Sequence, residues 1–398
     1  MNRAIPLKML CILALISAIA PLSTDMYLPG LPIMAESLDT SAASVQLTLT
    51  TFMAGLGIGQ LIIGPISDGI GRRRLLLGAA AITTLASAAC ALAPNIEFLI
   101  GARLIQGLSG GAAIVLARAC IADRARGNGA AKLFSIMMII GGVAPVVAPL
   151  LGGVLLGPVG WRGIFWVLTA AGAVMVAGVL TLVPETLPPE RRHGGGLKAL
   201  VANLGYVTGN RRYLGYALAF IFGFGALFSY IAASPFVVQN VLGLTPSQFS
   251  MVFAVNAVGM VVAATITARL LGRLSARTLL NFGVALLTIS GAVLFCTAAL
   301  FNSTSPAALL IPLFVSVSSI GFIMGNATAL AQGEVTAAAG TGSALMGAGQ
   351  FGLAAAVSPL VGIAGPDTAV PMAIAIPTFG LLAALSLALF ARKADAAN

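Results

Sequence analysis

Apolar residues occur along this chain in long runs, separated by short segments of Gly, Pro and charged residues. A helix that crosses a lipid bilayer needs about 20 mostly apolar residues. Twelve runs meet that requirement, near residues 7–29, 44–66, 75–93, 97–117, 133–157, 163–183, 213–235, 247–270, 278–300, 306–330, 340–364 and 369–391. Membrane-spanning strands would show alternating segments of about ten residues, and these runs are longer and apolar on every side. The pattern predicts an all-α integral membrane protein with twelve transmembrane helices.

Composition and charge support this class. The 398 residues are 59% hydrophobic and only 8% charged, whereas soluble domains carry about 25% charged residues, so a soluble protein is excluded. If the chain crosses the membrane at each of the twelve spans, all Lys and Arg residues except Arg103 and Arg162 lie on the same side as the N-terminus. Loops rich in Lys and Arg stay in the cytoplasm. We therefore expect a multi-pass protein of the bacterial cytoplasmic membrane with both termini inside, and no nucleic-acid partner.

The first span has a second interpretation. A basic start, the apolar run 9–17 and the small residues Ala18-Ile19-Ala20 also fit a secretory signal peptide. Cleavage would leave eleven spans and an unequal repeat, so the span is retained, and the signal peptide stays the alternative.

The chain is predicted to be doubled. The segment Val147–Gly152 (VAPLLG) recurs as Val357–Gly362 (VSPLVG), 210 residues later (357 minus 147). One long polar segment, 184–212, separates residues 1–183 from residues 213–398. We predict two pseudo-symmetric six-helix bundles joined by a cytoplasmic linker. Such repeats are typical of transporters that rock around a site near the bilayer midplane.

The run Gly64–Arg74 (GPISDGIGRRR) ends span two, and its glycines allow a tight turn. Asp68 lies beside arginines, so charge-assisted bonds can form and break there. This run resembles the signature loop of the major facilitator superfamily, although Gly69 stands where that family usually has a basic residue. The resemblance implies a gating role for Gly64, Asp68, Gly71 and Arg72.

Two further runs extend the resemblance. The run Gly101–Gly107 of span four, which contains Arg103, is similar to a second family motif. A charge inside a span is costly unless it is paired or hydrated. The alternative is that Arg103 extends to the outer interface. Span five resembles the family's antiporter motif, which assigns gating to Pro145, Pro149, Gly152 and Gly153; a generic kinked helix is the alternative.

Asp25 is the carboxylate that the pattern places inside a span. An intramembrane acid is by default a functional candidate, because burial disfavours its charged form and allows proton binding. The alternative is a solvated cap at the outer end of span one. Together with Trp161–Phe165 and Ser234–Phe236, the run Asp25–Pro29 resembles the bicyclomycin/chloramphenicol-resistance (Bcr/CflA) branch.

The resemblance implies a proton-coupled drug exporter, with Asp25 and Arg103 coupling proton and substrate. Proposed substrate contacts are Asp25, Tyr27, Gln46, Tyr230, Asn256 and Asn326. We expect a largely neutral, amphipathic substrate of the phenicol or bicyclomycin type. The expected partners are this substrate, protons and the lipid bilayer, and we expect a monomer driven by the proton gradient without a metal or cofactor. A transporter of a physiological metabolite is the main alternative; a membrane-embedded enzyme and a non-transporting scaffold have less support from the residues.

Overall fold

The structure is a computed structural model that describes residues 6–124, 127–188, 190, 192, 196–300 and 305–391. Side chains are described throughout these ranges except at residues 64, 65, 68, 122, 127–142, 196–202 and 300. The prediction of an all-α membrane protein is confirmed, because long apolar helices account for most of the described chain. The chain forms two compact units, residues 1–199 and 200–398.

The first unit begins with a broken helix and continues with four longer ones. Its helices are α1 (Leu7–Asp25), α2 (Leu31–Ser37), α3 (Ala42–Ile70), α4 (Arg73–Ala91), α5 (Ile96–Arg124) and α6 (Gly127–Leu182), with a short 3-10 turn, Leu28–Gly30, between α1 and α2. The side chain of Ser41 accepts a hydrogen bond from the backbone N–H of Ser44 and so caps the start of α3.

The second unit has a similar series of helices. They are α8 (Arg211–Phe236), α9 (Pro246–Leu270), α10 (Ala276–Phe295), α11 (Pro306–Glu334), α12 (Ala339–Val361) and α13 (Val370–Phe390). Each of α8, α9 and α10 starts at a polar residue, Asn210, Thr245 or Ser275, whose side chain accepts a bond from the N–H three residues later.

Helix α6 contains two membrane crossings. Eleven helical stretches of the described chain are long and apolar enough to span a membrane, and one of them, Val143–Leu182, has 40 residues. That length is about 60 Å at 1.5 Å per residue, roughly twice the hydrocarbon thickness of about 30 Å. The helix breaks at Gly160, whose φ of 64° favours glycine. The two halves give twelve crossings, as predicted.

Two boundaries differ from the prediction. The first apolar span does not end near residue 29 but continues through Ser37, and its helix is broken after Asp25. The segment predicted as a linker, 184–212, contains a 14-residue helix, α7 (Gly196–Gly209), which its polar flanks concealed.

Small residues allow the helices to approach closely within each unit. A Cβ atom on Gly107 of α5 would lie 2.1 Å from the carbonyl oxygen of Phe52 on α3, and one on Gly111 would lie 2.3 Å from that of Leu56. In the second unit, a Cβ on Gly321 of α11 would lie 2.3 Å from the carbonyl oxygen of Met260 on α9. Such contacts let membrane helices associate by backbone packing.

The two units repeat the same pattern of buried positions. Adding 204 to buried positions of α4 gives buried positions of α10: residues 76, 79, 80, 83, 86, 87 and 90 become 280, 283, 284, 287, 290, 291 and 294. Adding 208 relates the second half of α6 to α13: residues 164, 165, 168, 172 and 175 become 372, 373, 376, 380 and 383. Helices α5 and α11 both have 29 residues and begin 210 apart (306 minus 96). These offsets identify equivalent residues in the two units.

Candidate functional site

Asp25 lies at the break in the first span. Pro29 has no N–H to bond the carbonyl of Asp25, so the regular helix ends there. The Asp25 side chain is only 5% exposed, and it makes no hydrogen bond or ion pair with any residue that the structure describes. The span continues for twelve residues beyond it, to Ser37. A solvated cap at the outer end of the span does not fit this burial.

Arg103 is fully buried on α5 and does not extend to the outer interface. Its Nη1 donates to the carbonyl oxygen of Ser23 at 3.0 Å and to Gln106 Oε1 at 2.5 Å, while Nε and Nη2 have no hydrogen-bond partner in the described structure. Arg103 and Asp25 do not form an ion pair with each other. The guanidinium is instead tied to the backbone two residues before the carboxylate.

Aromatic rings enclose the Arg103 guanidinium. Its carbon lies 4.1 Å from the ring centroid of Phe52, 4.5 Å from that of Tyr27 and 5.8 Å from that of Phe165. A desolvated cation over an aromatic face is stabilised by about 2 kcal/mol. The Tyr27 hydroxyl also bonds Thr48 Oγ1 at 3.0 Å. Gln46, two residues before Thr48 on α3, is buried as well.

A chain of polar residues continues from Arg103 toward α4. Gln106 Nε2 donates to Ser87 Oγ at 2.8 Å, and Ser87 Oγ donates to the carbonyl oxygen of Thr83 at 2.8 Å. The Gln106 amide is therefore held in place, and it orients one edge of the guanidinium. The bonded network fixes Arg103 but leaves two of its nitrogens available to an acceptor.

The glycine-rich run of span five packs against the break in span one. A Cβ on Gly152 would lie 1.8 Å from the carbonyl oxygen of Met26, the residue after Asp25. Pro145 and Pro149 lie within the same helix, and neighbouring Gly153 is partly buried. The structure thus brings Gly152 next to the broken segment.

The signature loop has one sharp turn and not several. Helix α3 continues through Gly64 and position 68 to Ile70, four residues beyond residue 66, the predicted end of span two. Gly71 makes the turn, with φ of 109°, and a Cβ on it would lie 2.7 Å from Glu185 Oε2. The side chain of Asp68, predicted to act with Arg72, lies outside the described part of the structure.

Arg72 binds two acidic residues that the sequence did not single out. Its Nε donates to Asp123 Oδ2 at 3.2 Å, Nη1 donates to Ser67 Oγ, and its backbone N–H donates to Glu185 Oε1 at 2.9 Å. Thr186 Oγ1 also donates to Asp123 Oδ2, at 3.0 Å. We call Arg72, Asp123 and Glu185 the loop cluster.

Backbone donors hold Glu185 in its ionised form. Burial raises the pKa of this carboxyl, but hydrogen bonds from the N–H groups of Leu187, Arg72 and Arg73 outweigh burial and hold the pKa below its ordinary value. Arg192 Nη2 lies 3.9 Å from Glu185 Oε2. Asp123 and Glu185 are 51 and 113 residues from Arg72, so only the scarcity of carboxylates in the sequence could have pointed to them.

The predicted residues of the second unit divide into a pair and a separate residue. Asn256 Nδ2 donates to the Tyr230 hydroxyl at 2.9 Å, and both side chains are buried. Tyr230 stacks on Phe253, with 5.3 Å between ring centroids. Asn326 Nδ2 donates instead to the carbonyl oxygen of Phe322 on its own helix. The structure brings Tyr230 and Asn256 together but places Asn326 apart from their hydrogen bond.

Comparison with known proteins identifies the chain's relatives. The family model of the Major Facilitator Superfamily matches residues 13–359. An uncharacterized MFS-type transporter of Bacillus subtilis, YdgK, is 39% identical over 363 residues, which cover 91% of this chain and 90% of that protein. A bicyclomycin resistance protein homolog of Haemophilus influenzae is 32% identical over 360 residues, 90% of each chain.

Solved structures show the same fold. The nucleoside transporter NupG, crystallised as a point mutant, superposes with a TM-score of 0.78 over 97% of this chain and 100% of its own. Sequence identity is 14%, so this likeness concerns the fold alone.

Proposed function

Because the chain belongs to the major facilitator superfamily, we propose that it exports neutral, amphipathic drugs in exchange for protons. It is a multi-pass membrane protein of a family of transporters and not of enzymes. We place it in the bacterial cytoplasmic membrane as a monomer with both termini inside, on the distribution of its Lys and Arg residues. The proton gradient would supply the energy.

The observation that carries the proposal is the environment of Asp25. Its carboxyl group is buried in the interior of a span and lacks a bonding partner among the described residues. Such a group is costly while ionised, so it favours proton uptake, and a bound substrate or a conformational change alters that preference. A carboxyl with only a structural role would be expected to have partners.

The neighbouring charge argues for a neutral substrate. Asp25, Arg72 and Arg103 are the buried charged residues in the described chain, and Arg72 belongs to the loop cluster. The remaining two charges have opposite signs, so their sum attracts neither cations nor anions strongly. Nε and Nη2 of Arg103 offer donors for a carbonyl, hydroxyl or nitro oxygen, and the surrounding rings offer apolar contact.

The relatives favour drugs over metabolites. The Haemophilus relative is named for bicyclomycin resistance, and the antibiotic-resistance branch is the one that the sequence motifs resemble. We therefore propose a substrate of the bicyclomycin or phenicol type, with Tyr27 and Gln46 of the first unit and Tyr230, Asn256 and Asn326 of the second as contact candidates. The loop cluster, together with Asp68, would act as the cytoplasmic latch.

The test uses Asp25→Asn in a host that lacks its own exporters. Asn keeps the size of the side chain and cannot carry a proton, so drug-induced proton movement in inverted vesicles should fall to the level of the empty vector. Asp39→Asn is the matched control, because Asp39 is an exposed carboxylate with φ of 47°, a conformation that Asn tolerates. It should transport like the wild type.

Three results would contradict parts of the proposal. Full drug resistance and proton movement with Asp25→Asn would remove the assigned role of this residue. Unchanged susceptibility to every compound of a panel, with accumulation of a labelled sugar, amino acid or sulfur compound, would favour the metabolite transporter. Loss of activity in both variants would indicate a structural cause.

A further inference from the structure

Helices α10 and α13 of the second unit diverge to leave a groove with a cavity of about 280 Å³. Arg277 and Asn281, one turn apart near the start of α10, form its polar end. Ala285, Ala384 and Ala388 form much of its apolar wall. The groove lies inside the second unit and is separate from the Tyr230–Asn256 pair.

The groove has a clear structural origin. The two helices run antiparallel and touch at Gly291, where a Cβ would lie 2.9 Å from the Pro377 nitrogen, and at Gly380, where a Cβ would lie 2.7 Å from Thr288 Oγ1. Toward the start of α10 this close packing is replaced by alanines on α13. The side chains there are too short to fill the widening gap.

The first unit has an equivalent place with which this groove can be compared. By the offsets of 204 and 208, Arg277 is equivalent to Arg73, and Ala388 is equivalent to Leu180. In the first unit, Arg73 Nη2 donates to the carbonyl oxygen of Leu180 at 2.7 Å. In the second unit, Arg277 makes no hydrogen bond or ion pair with any described residue, and it lines the cavity instead.

The side chains around the arginine differ between the units. Ala80 and Val179 of the first unit correspond to the larger Val284 and Leu387 of the second, whereas three other positions change the opposite way. Leu77, Val176 and Leu180 of the first unit correspond to Asn281, Ala384 and Ala388 of the second. Each replacement removes apolar bulk or adds a polar group. Two equivalent places in a doubled chain therefore differ in polarity and in the bonding of an arginine that both units possess.

We propose that this groove binds an anionic phospholipid, with the phosphate on Arg277 and Asn281 and an acyl chain along the alanines. Basic pockets between transmembrane helices bind acidic lipid head groups. Arg273, in the turn between α9 and α10, is exposed and adds positive charge. Half-exposed Phe282 and Leu385 flank the groove, as expected for a face in contact with lipid. A phospholipid fits because it combines an anionic head with apolar tails.

The experiment titrates the purified full chain in detergent with dioleoyl phosphatidylglycerol and reads bound lipid by native mass spectrometry. Arg277→Gln should weaken binding about fivefold or more, because it removes the basic partner of the phosphate inside the groove. Arg277→Lys should retain most of the affinity. Ala388→Leu restores the residue of the first unit and should block the groove. Arg269→Gln is the control, because Arg269 does not line the cavity.

The outcomes are distinct. Weaker binding with Arg277→Gln and Ala388→Leu, and wild-type binding with Arg269→Gln, would support the site. Equal binding by all variants would overturn it, as would displacement of the lipid by millimolar glycerol 3-phosphate, which would indicate a site for soluble phosphates. If Ala388→Leu unfolds, Ala384→Val makes the same test with less added volume. Drug transport that fails while lipid binding follows this pattern would leave the lipid site standing.

Discussion

Replacing Gly152 with alanine tests whether the contact between α6 and the broken first span positions Asp25. The new Cβ would lie 1.8 Å from the carbonyl oxygen of Met26 and 2.7 Å from its carbonyl carbon. Ordinary contact begins at 3.4 Å, so the two backbones must separate by about 1.6 Å (3.4 minus 1.8 Å). Both are main-chain segments, and no side-chain rotation can relieve the overlap. The segment that must move includes the residue next to Asp25.

The expected cost can be isolated with Gly157→Ala on the same helix. Nothing lies within 4 Å of a Cβ at Gly157. Both substitutions gain about 0.5–1 kcal/mol because alanine is the better helix former. Overpacking, which costs about 1–3 kcal/mol, applies only at Gly152. The difference in unfolding free energy between the two variants should therefore be about 1–3 kcal/mol. For a unit of this size, each kcal/mol shifts the unfolding temperature by roughly 2–4 °C.

The assay compares thermal unfolding in detergent with proton-coupled drug efflux in vesicles. Gly157→Ala should unfold slightly above the wild type and transport normally. Gly152→Ala should unfold at a lower temperature and lose most of its transport, because the Asp25 segment is displaced. Equal stability and equal transport in the two variants would show that the contact neither constrains the segment nor serves the function.

Three further substitutions test the polar contacts. Arg103→Lys should lower efflux and reduce the unfolding free energy by about 1–3 kcal/mol, because lysine cannot bond Ser23 and Gln106 at once and also stack on two rings; normal efflux would refute this role. Tyr27→Phe removes one hydroxyl bond worth about 1 kcal/mol but keeps the ring on Arg103, so the unfolding temperature should fall, and efflux should persist if Tyr27 contacts the substrate through its ring. Glu185→Gln should loosen the loop cluster. Because the Glu185 pKa is lowered, the contribution of this carboxylate to stability is complete above the ordinary pKa of about 4.3. That contribution is lost only as the pH falls through the lowered pKa. The pH dependence of efflux between about pH 5.5 and 8 should therefore be unchanged in Glu185→Gln and abolished in Asp25→Asn, which paired pH–efflux curves would check.

The number of spans was predictable because each one must bury its backbone polar groups in lipid as a continuous apolar helix. The break at Gly160 lies between predicted spans five and six, since Gly-Pro and Trp-Arg-Gly interrupt the apolar run there. Helix α7 was not predicted, because its short run is flanked by polar residues and is too short to span a membrane. Length and hydropathy report on membrane crossing and carry little information about helices outside the membrane.

The partners within the site could not be predicted in the same way. Arg103 was found because a charge inside a span stands out, but its bond to the Ser23 carbonyl depends on how α1 and α5 pack. Glu185 was assigned to a linker, yet it accepts hydrogen bonds from the backbone N–H groups of both Arg72 and Arg73. Contacts over 80 to 113 residues follow from tertiary packing, about which a single sequence says nothing.

The doubled architecture makes the differences between the units more informative than their similarities. Positions that are buried in both units share the demands of packing, so a change of chemistry at such a position needs another cause. Arg103 is equivalent to Leu313, and both are buried. Leucine shows that the fold needs only an apolar side chain there, so the guanidinium, which membrane burial disfavours, is retained for a different reason. Adding 204 to the buried residues Val45, Leu49 and Met53 of α3 gives the buried residues Phe249, Phe253 and Ala257 of α9. By the same offset, Phe52 is equivalent to Asn256. The ring that stacks on Arg103 thus becomes the amide that bonds Tyr230. The charged chemistry therefore belongs to the first unit and a neutral hydrogen-bonding pair to the second.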